Sequence, residues 1–157
     1  MLSNDFRGAV SFGVVTRSVT MSSIDQKVDH YCNILNTFSD NTDRYKYLIS
    51  LARRAQPFPE EFRLDNFKVK GCLSQVWLVP KFENGVVNYF SDSDAAIVKG
   101  TVTLISDIYS GSSPHDITNN ERNLMEELDL GNILSMNRRN GAHNMLATVK
   151  EQAKLFV

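Results

Sequence analysis

Apolar residues recur at helical spacing through the first part of the chain, between residues 24 and 55. Positions three and four residues apart lie on one face of an α-helix. Two such faces are formed by Val28, Tyr31, Cys32 and Leu35 and by Tyr45, Leu48, Ile49 and Ala52. A polar break at residues 39–41 separates the two faces, and Pro57 follows the second. The pattern predicts two helices, with Cys32 on the buried face of the first.

The periodicity changes to that of β-strands between Phe67 and Phe90. Two β-prone runs, residues 75–82 and 86–90, flank the turn-forming residues 83–85 and predict a β-hairpin. The short run from Phe67 to Val69 predicts a third strand. We therefore expect a small, three-stranded antiparallel sheet, with Cys72 on the loop that leads into the hairpin.

Helical patterns return after the hairpin. One runs from Ala95 to Tyr109, and Asp94 is its predicted N-cap, because a carboxylate accepts hydrogen bonds from the first backbone amides of a helix. Another begins at Ser113, and the last extends from about Arg138 to Phe156. The order predicts an α+β fold in which the sheet packs against N- and C-terminal helices.

The first 22 residues differ in composition from the rest of the chain. They are rich in serine and carry two arginines but one acid, which leans toward an organelle transit peptide. A disordered tail, or a true start at Met21, is the simpler explanation. We expect residues 23–157 to form one domain, because a chain of 157 residues that is 42% hydrophobic can bury a substantial core.

Composition excludes several classes of function. The 17 basic and 18 acidic side chains nearly cancel, so the basic field that nucleic-acid binding needs is absent. No apolar run approaches the roughly 20 residues that cross a bilayer. The two cysteines and three histidines lack zinc-site spacing, and no phosphate-binding loop or serine nucleophile motif occurs. We expect no metal, no cofactor and no membrane or nucleic-acid partner, and a cytoplasmic location unless residues 1–22 direct the chain to an organelle.

Cys72 is the residue whose setting indicates chemistry. It follows Gly71, has Lys68, Lys70 and Ser74 as near neighbours, and precedes the strand with the only tryptophan. A thiol on such a loop can reach another protein, whereas a thiol on a packed element cannot. Composition alone leaves a reactive role and a core role both open.

Two stretches resemble the SufE family of sulfur acceptors: VKGCLSQVWL over residues 69–78 and SDSDAAIVKG over residues 91–100. A third stretch, RRNG at residues 138–141 followed by Met145, is similar to a further family pattern but carries Ala142 where leucine is usual. The likeness covers about residues 24–156.

The resemblance implies a fold like that of the IscU scaffold and a role in iron–sulfur cluster assembly. Cys72 would take persulfide sulfur from a pyridoxal-phosphate cysteine desulfurase of the SufS or CsdA type, stimulate that enzyme, and deliver sulfur to a SufB-like scaffold. The chain lacks the three metal-binding cysteines of an IscU-type scaffold. Five further residues would shape the loop or bind the partner, namely Gly71, Ser74, Gln75, Asp94 and Arg138.

Several alternatives stay open at the level of sequence. The chain could be a thiol redox protein with Cys32 as resolving partner, or a regulator that docks on a desulfurase without carrying sulfur. A homodimer is open as well. Lys68, Lys70 or Arg138 would favour the thiolate of Cys72 if they lie close, whereas burial would raise its pKa.

Overall fold

The computed structural model describes residues 22–157. The predicted tail or targeting segment over residues 1–22 therefore lies outside the described residues, except for Ser22. The two predicted N-terminal helices are confirmed as α1 (Ser23–Asn36) and α2 (Asn41–Arg53). Ser22 caps α1 by accepting a hydrogen bond from the amide of Asp25, and such caps satisfy amides that have no partner within the helix.

The predicted hairpin is confirmed as strands β1 (Val76–Glu83) and β2 (Val86–Ser93), which pair in antiparallel register. Asn84 and Gly85 form its two-residue turn, and both have positive φ, at 54° and 80°. Two successive positive φ values are those of a type I′ turn, whose twist matches that of the flanking strands. The Asn-Gly sequence thus sets the register of the whole hairpin.

The prediction of a third strand is wrong, because the sheet has two strands. Residues Asp65–Phe67 form a 3-10 turn. Of the residues predicted as the third strand, only Lys68 pairs with β1, through a single bridge to Trp77. The chain then turns at Gly71, which has a φ of +79°. The turn carries the backbone away from β1 before a second ladder pair can form.

Five helices follow the hairpin. They are α3 (Ala96–Tyr109), α4 (Pro114–Asn119), α5 (Leu124–Glu127), α6 (Leu130–Ile133) and α7 (Met136–Lys154). The predicted cap of α4 is confirmed, since Ser113 accepts a hydrogen bond from the amide of Asp116. The last helix begins two residues earlier than predicted. Within residues 22–157 no helix has the length and apolar character needed to cross a membrane.

Helix α3 forms the centre of the core. Its residues Val102, Leu104, Ile105 and Ile108 are fully buried, and it packs against α1, α2, the hairpin and α7. Tyr89 of β2 donates a hydrogen bond from its hydroxyl to the carbonyl of Val149, which ties α7 to the hairpin. The fold is thus the predicted α+β arrangement of helices around a small antiparallel sheet, and it holds α7 beside the loop that carries Cys72.

Candidate functional site

Cys72 lies on the loop between the Lys68–Trp77 bridge and β1, facing the first half of α7. Its side chain is half-buried and packs against the hydrophobic core. The Sγ atom lies 3.7 Å from the carbonyl oxygen of Gly141, to which the thiol can donate a weak hydrogen bond. A Cβ atom on Gly141 would lie 3.4 Å from that sulfur. The missing side chain of Gly141 therefore lets the thiol rest close against the helix.

Asn144 holds the loop at its N-terminal side. Its side-chain amide donates a hydrogen bond of 3.1 Å to the carbonyl of Gly71. A Cβ atom on Gly71 would lie 2.4 Å from the Nδ2 atom of Asn144, and the positive φ of Gly71 also disfavours a side chain. Sequence reasoning selected Gly71 but missed Asn144, because a polar residue on an amphipathic helix carries no local sign of a partner in a distant loop.

Asp94 holds the loop at its C-terminal side. Its carboxylate accepts hydrogen bonds from the Gln75 backbone amide at 3.1 Å and from the Gln75 side chain at 3.5 Å. The prediction that Asp94 caps α3 is wrong, because Ala95 occupies the N-cap position and makes no side-chain hydrogen bond. The amide of Ala95 donates instead to the hydroxyl of Ser93. The carboxylate of Asp94 thus fixes the start of β1 against the end of β2.

Arg138 reaches the loop from the first turn of α7. Its Nη1 atom donates a hydrogen bond of 2.7 Å to the hydroxyl of Ser74. Lys68, in contrast, forms an ion pair with Asp65 and lies over the ring of Trp77. The five residues predicted around Cys72, from Gly71 to Arg138, all lie at this loop or contact it, while their roles stay predictions.

Two opposing effects act on the thiol of Cys72. Burial raises its pKa above the ordinary value, and the positive charge of Arg138 lowers it by a smaller amount. The pKa of Cys72 is raised overall, since desolvation destabilises the thiolate more than one partly exposed guanidinium stabilises it. The resting protein therefore holds Cys72 mainly as the neutral thiol at neutral pH, and a neutral thiol is a poor nucleophile.

The raised pKa predicts slow alkylation of Cys72 in the folded protein. With Cys32 replaced by serine, iodoacetamide should react with Cys72 more slowly at neutral pH than it does in urea-unfolded protein. The rate should rise with pH to a midpoint above that of the unfolded chain. Arg138→Gln should move this midpoint higher still, whereas Arg138→Lys, which keeps the charge, should leave it nearly unchanged. Equal rates for the folded and unfolded protein would contradict the buried, neutral thiol.

Cys32 has a different environment. It is half-buried on α1, and its Sγ atom donates to the carbonyl of Glu127 at 3.3 Å. Burial raises its pKa as well, and the negative charge of Glu127 acts in the same direction. Both cysteines are free thiols that contact carbonyl groups on different helices, α5 and α7. This arrangement does not favour a redox pair between Cys32 and Cys72.

Two large apolar side chains on the segments that form the site are exposed. Leu73, next to Cys72, is 77% exposed, and Met136, the first residue of α7, is 67% exposed. Large apolar side chains with this exposure are common where another protein docks, although single ones also occur on ordinary surfaces. Here both belong to segments that form the site, because Met136 stands two residues before Arg138 and Leu73 between Cys72 and Ser74.

A charged and aromatic cluster supports the hairpin on its outer face. The guanidinium of Arg63 lies over the rings of Trp77 and Phe58 and forms an ion pair of 2.9 Å with Asp92. Asp92 also pairs with Lys99 at 3.4 Å, so Lys99 has a structural contact within the fold. Among residues 22–157, no three histidine, cysteine or acidic side chains are grouped as metal ligands would be.

A sequence profile of the SufE family, described as an Fe-S metabolism associated domain, matches residues 29–153. The chain belongs to the SufE family. The matched range contains the Cys72 loop, the hairpin, α3 and nearly all of α7. The resemblance that the motifs at residues 69–78 and 91–100 indicate is thereby confirmed.

Relatives of similar length support the assignment to the SufE family. An uncharacterized SufE-like protein of Rhizobium etli is 35% identical over 140 residues, which cover 86% of this chain and 92% of that protein. An uncharacterized SufE-like protein of Rhizobium meliloti is 34% identical over 140 residues, which cover 85% of this chain and 96% of that protein. A third, from Synechocystis, is 33% identical over 126 residues, which cover 78% of this chain and 79% of that protein. Membership of the SufE family supports a sulfur-transfer role together with a cysteine desulfurase.

A solved structure shows the same fold at much lower identity. The solution structure of a hypothetical protein from Thermus thermophilus superposes with a TM-score of 0.69 at 18% identity. The match covers 82% of this chain and 94% of the other. The arrangement of helices around the hairpin is therefore shared by distant members of this fold.

Proposed function

We propose that Cys72 accepts sulfur from the persulfide of a cysteine desulfurase and carries it toward an iron–sulfur scaffold of the SufB type. The observation that supports this most is the placement of Cys72: a free thiol on a loop beside exposed Leu73, resting on α7 through few polar contacts. Such a thiol is shielded in the resting protein, yet it lies where a partner can reach it after a small movement of the loop.

The transfer is an exchange between a thiolate and a persulfide. The thiolate of Cys72 attacks the outer sulfur of the donor persulfide, so that a bond forms between that sulfur and Sγ of Cys72. The bond to the donor cysteine breaks, and the donor leaves as a thiolate. The reactants are one thiol and one persulfide, and the products are again one thiol and one persulfide, so no oxidant or reductant is consumed.

The desulfurase must bring Cys72 out of its resting position for this attack. Three hydrogen-bonded contacts hold the loop, from Asn144, Asp94 and Arg138. The contact from Asn144 joins neutral groups and contributes on the order of 1 kcal/mol, whereas those from Asp94 and Arg138 each include a charged group and contribute about 1.5–3 kcal/mol, so release of the whole loop costs several kcal/mol. The partner can favour the released state only to the extent that it binds this state more tightly. Leu73 and Met136 offer the apolar contacts for such a preference.

The role of Asn144 in holding the loop can be measured directly. Asn144→Ala removes the hydrogen bond to Gly71, so the released state should become more populated by roughly two- to tenfold. Alkylation of Cys72 by iodoacetamide should accelerate by the same factor. His143→Ala, at the exposed neighbouring position on α7, should react at the wild-type rate. A wild-type rate in Asn144→Ala would show that this contact does not restrain Cys72.

Intact-mass analysis tests the proposed function itself. After incubation with a desulfurase and cysteine, the protein should gain the mass of one sulfur atom, and a thiol reductant should remove it. Peptide mapping should place the added sulfur on Cys72. Sulfur found on Cys32, or no added sulfur with an active desulfurase, would contradict the proposal.

A further inference from the structure

The outer edge of β2 is the edge that faces away from β1. In an antiparallel pair, the backbone groups of alternate residues point toward the partner strand, and those of the residues between them point away. The backbone of Val87 points away from β1, because its carbonyl accepts from the amide of Gly111 and its amide donates to the carbonyl of Ser112, both at 2.9 Å. Tyr89 and Ser91, two and four residues further along β2, therefore present their backbone groups at the same outer edge.

This edge is only partly paired. The amide of Tyr89 donates to the hydroxyl of Ser110 at 2.9 Å. Among residues 22–157, no group bonds to the carbonyl of Tyr89 or to the backbone amide and carbonyl of Ser91. A strand edge with free amides and carbonyls is a template on which a further extended segment can pair.

A cavity of about 450 Å³ lies beside this edge. Tyr89 and Ser91 form one of its walls, α3 forms a second, and residues 54–58, which follow α2, form a third. None of its lining residues belongs to the Cys72 loop or to α7. The space that a further strand beside β2 would occupy is therefore open within the described residues.

Residues 1–21, which precede the described part of the chain, contain a stretch that suits this edge. The sequence AVSFGVV over residues 9–15 has Val10, Phe12 and Val14 at every second position, with small residues between them. This alternation puts the three large side chains on one face of a strand and the small residues on the other. The stretch contains neither a charged residue nor a proline, the residues that protect strand edges from further pairing.

The segment joins the described structure close to the cavity. Ser22 caps α1, and Lys27, five residues later, donates hydrogen bonds of 2.8 Å to the carbonyls of Asp107 and Ser110. Both of these acceptor residues line the cavity. Five residues of α-helix rise only about 7.5 Å, whereas residues 16–21 span up to roughly 20 Å when extended. The stretch that alternates can therefore reach the edge of β2 in its own molecule.

We propose that residues 9–15 form a third strand on the outer edge of β2 within the same molecule. The chain enters the cavity beside Ser110 and Tyr89, and its N-terminal end reaches Ser91, so the added strand runs antiparallel to β2. Its backbone bonds to the free groups of Tyr89 and Ser91, and its three large side chains pack into the cavity toward α3. This pairing does not depend on sulfur transfer at Cys72.

Nuclear magnetic resonance of the full-length, isotope-labelled protein tests the added strand. Overhauser contacts should join backbone protons of residues 9–15 to those of Ser91. The amide of Ser91 should also exchange slowly with solvent, because an amide in a paired strand exchanges only when the pairing opens.

Two phenylalanines of the same segment provide matched variants. Phe12→Asp puts a charge on the face that packs into the cavity, so it should speed exchange of the Ser91 amide by roughly tenfold or more. Phe6→Asp introduces the same charge outside the alternating stretch and should leave this exchange at the wild-type rate. The amide of Val102, inside α3, should stay protected in both variants and so shows that the domain remains folded.

Three results would overturn the proposed strand. The first is exchange of the Ser91 amide at one common rate in the wild type and in Phe12→Asp. The second is a set of Overhauser contacts from Ser91 to a stretch other than residues 9–15, or to no residue of the segment. The third is contacts that occur only between differently labelled molecules in a mixed sample, which would show that a second copy supplies the strand.

Discussion

Cys72→Ser is expected to reduce sulfur uptake from a cysteine desulfurase to background, whereas Cys32→Ser should keep the full uptake of the wild type. The reason is chemical, since the attacking group is a thiolate and a serine hydroxyl is not ionised at neutral pH. The two substitutions are otherwise well matched. Both cysteines are half-buried free thiols whose sulfur atoms contact one backbone carbonyl, of Gly141 and Glu127 respectively.

Uptake can be followed with radiolabelled cysteine and separation of the proteins under non-reducing conditions. The same two variants distinguish a carrier from a protein that only docks. A carrier with Cys72→Ser should bind the desulfurase but no longer accelerate its turnover. If Cys72→Ser stimulated the desulfurase as strongly as the wild type, the chain would be a regulator, and the assignment of Cys72 as the acceptor would be withdrawn.

Among the glycines of residues 22–157, Gly100 is the one whose replacement by alanine is expected to cause the largest loss of stability. Gly100 lies on α3 where that helix crosses α2, and a Cβ atom would stand 1.9 Å from the carbonyl oxygen of Leu48 and 2.6 Å from its carbon. These are backbone atoms, so the two helices would have to move apart. Such overpacking costs about 1–3 kcal/mol and sometimes more, and we expect about 3 kcal/mol here.

Urea unfolding measures this loss as a lower midpoint at an unchanged slope. Gly131→Ala is the matched control, since Gly131 is also helical and its added Cβ would meet only the Cδ of Arg139, at 3.7 Å. Alanine is the better helix former by up to about 1 kcal/mol, so Gly131→Ala should be neutral or stabilising. A wild-type midpoint for Gly100→Ala would mean that α2 and α3 are not packed as closely as described.

The parts of the fold that could be predicted from sequence are those that local residues decide. The Asn-Gly turn of the hairpin and the Ser113 cap of α4 depend on residues within a few positions of each other. The same local rule assigns Asp94 as a cap, and that prediction is wrong. The amide of Gln75, 19 residues earlier in the chain, binds its carboxylate instead. A local rule cannot weigh a partner that only the folded chain brings near.

The residues of the candidate site likewise fall into those that the sequence identifies and those that it does not. The setting of Cys72, after Gly71 in a polar loop, made it a candidate but left a reactive role and a core role both open. The family resemblance favoured the reactive role and added Arg138. Asn144 could not be identified, since its contact with Gly71 spans 73 residues. The raised pKa of Cys72 could not be predicted either, because it depends on how deeply α7 buries the thiol against one nearby positive charge. From the sequence alone, the pKa of Cys72 could be either raised or lowered.

The helix that covers the thiol of Cys72 is synthesised later than Cys72 itself. Gly141, on which the sulfur of Cys72 rests, is made 69 residues later. Ribosomes add residues at roughly 5–20 per second, so several seconds separate the appearance of Cys72 from the completion of α7. During that interval the nascent chain presents an uncovered cysteine to the cell. Oxidants and alkylating metabolites should therefore modify Cys72 mainly on newly synthesised molecules, before the C-terminal helix has docked.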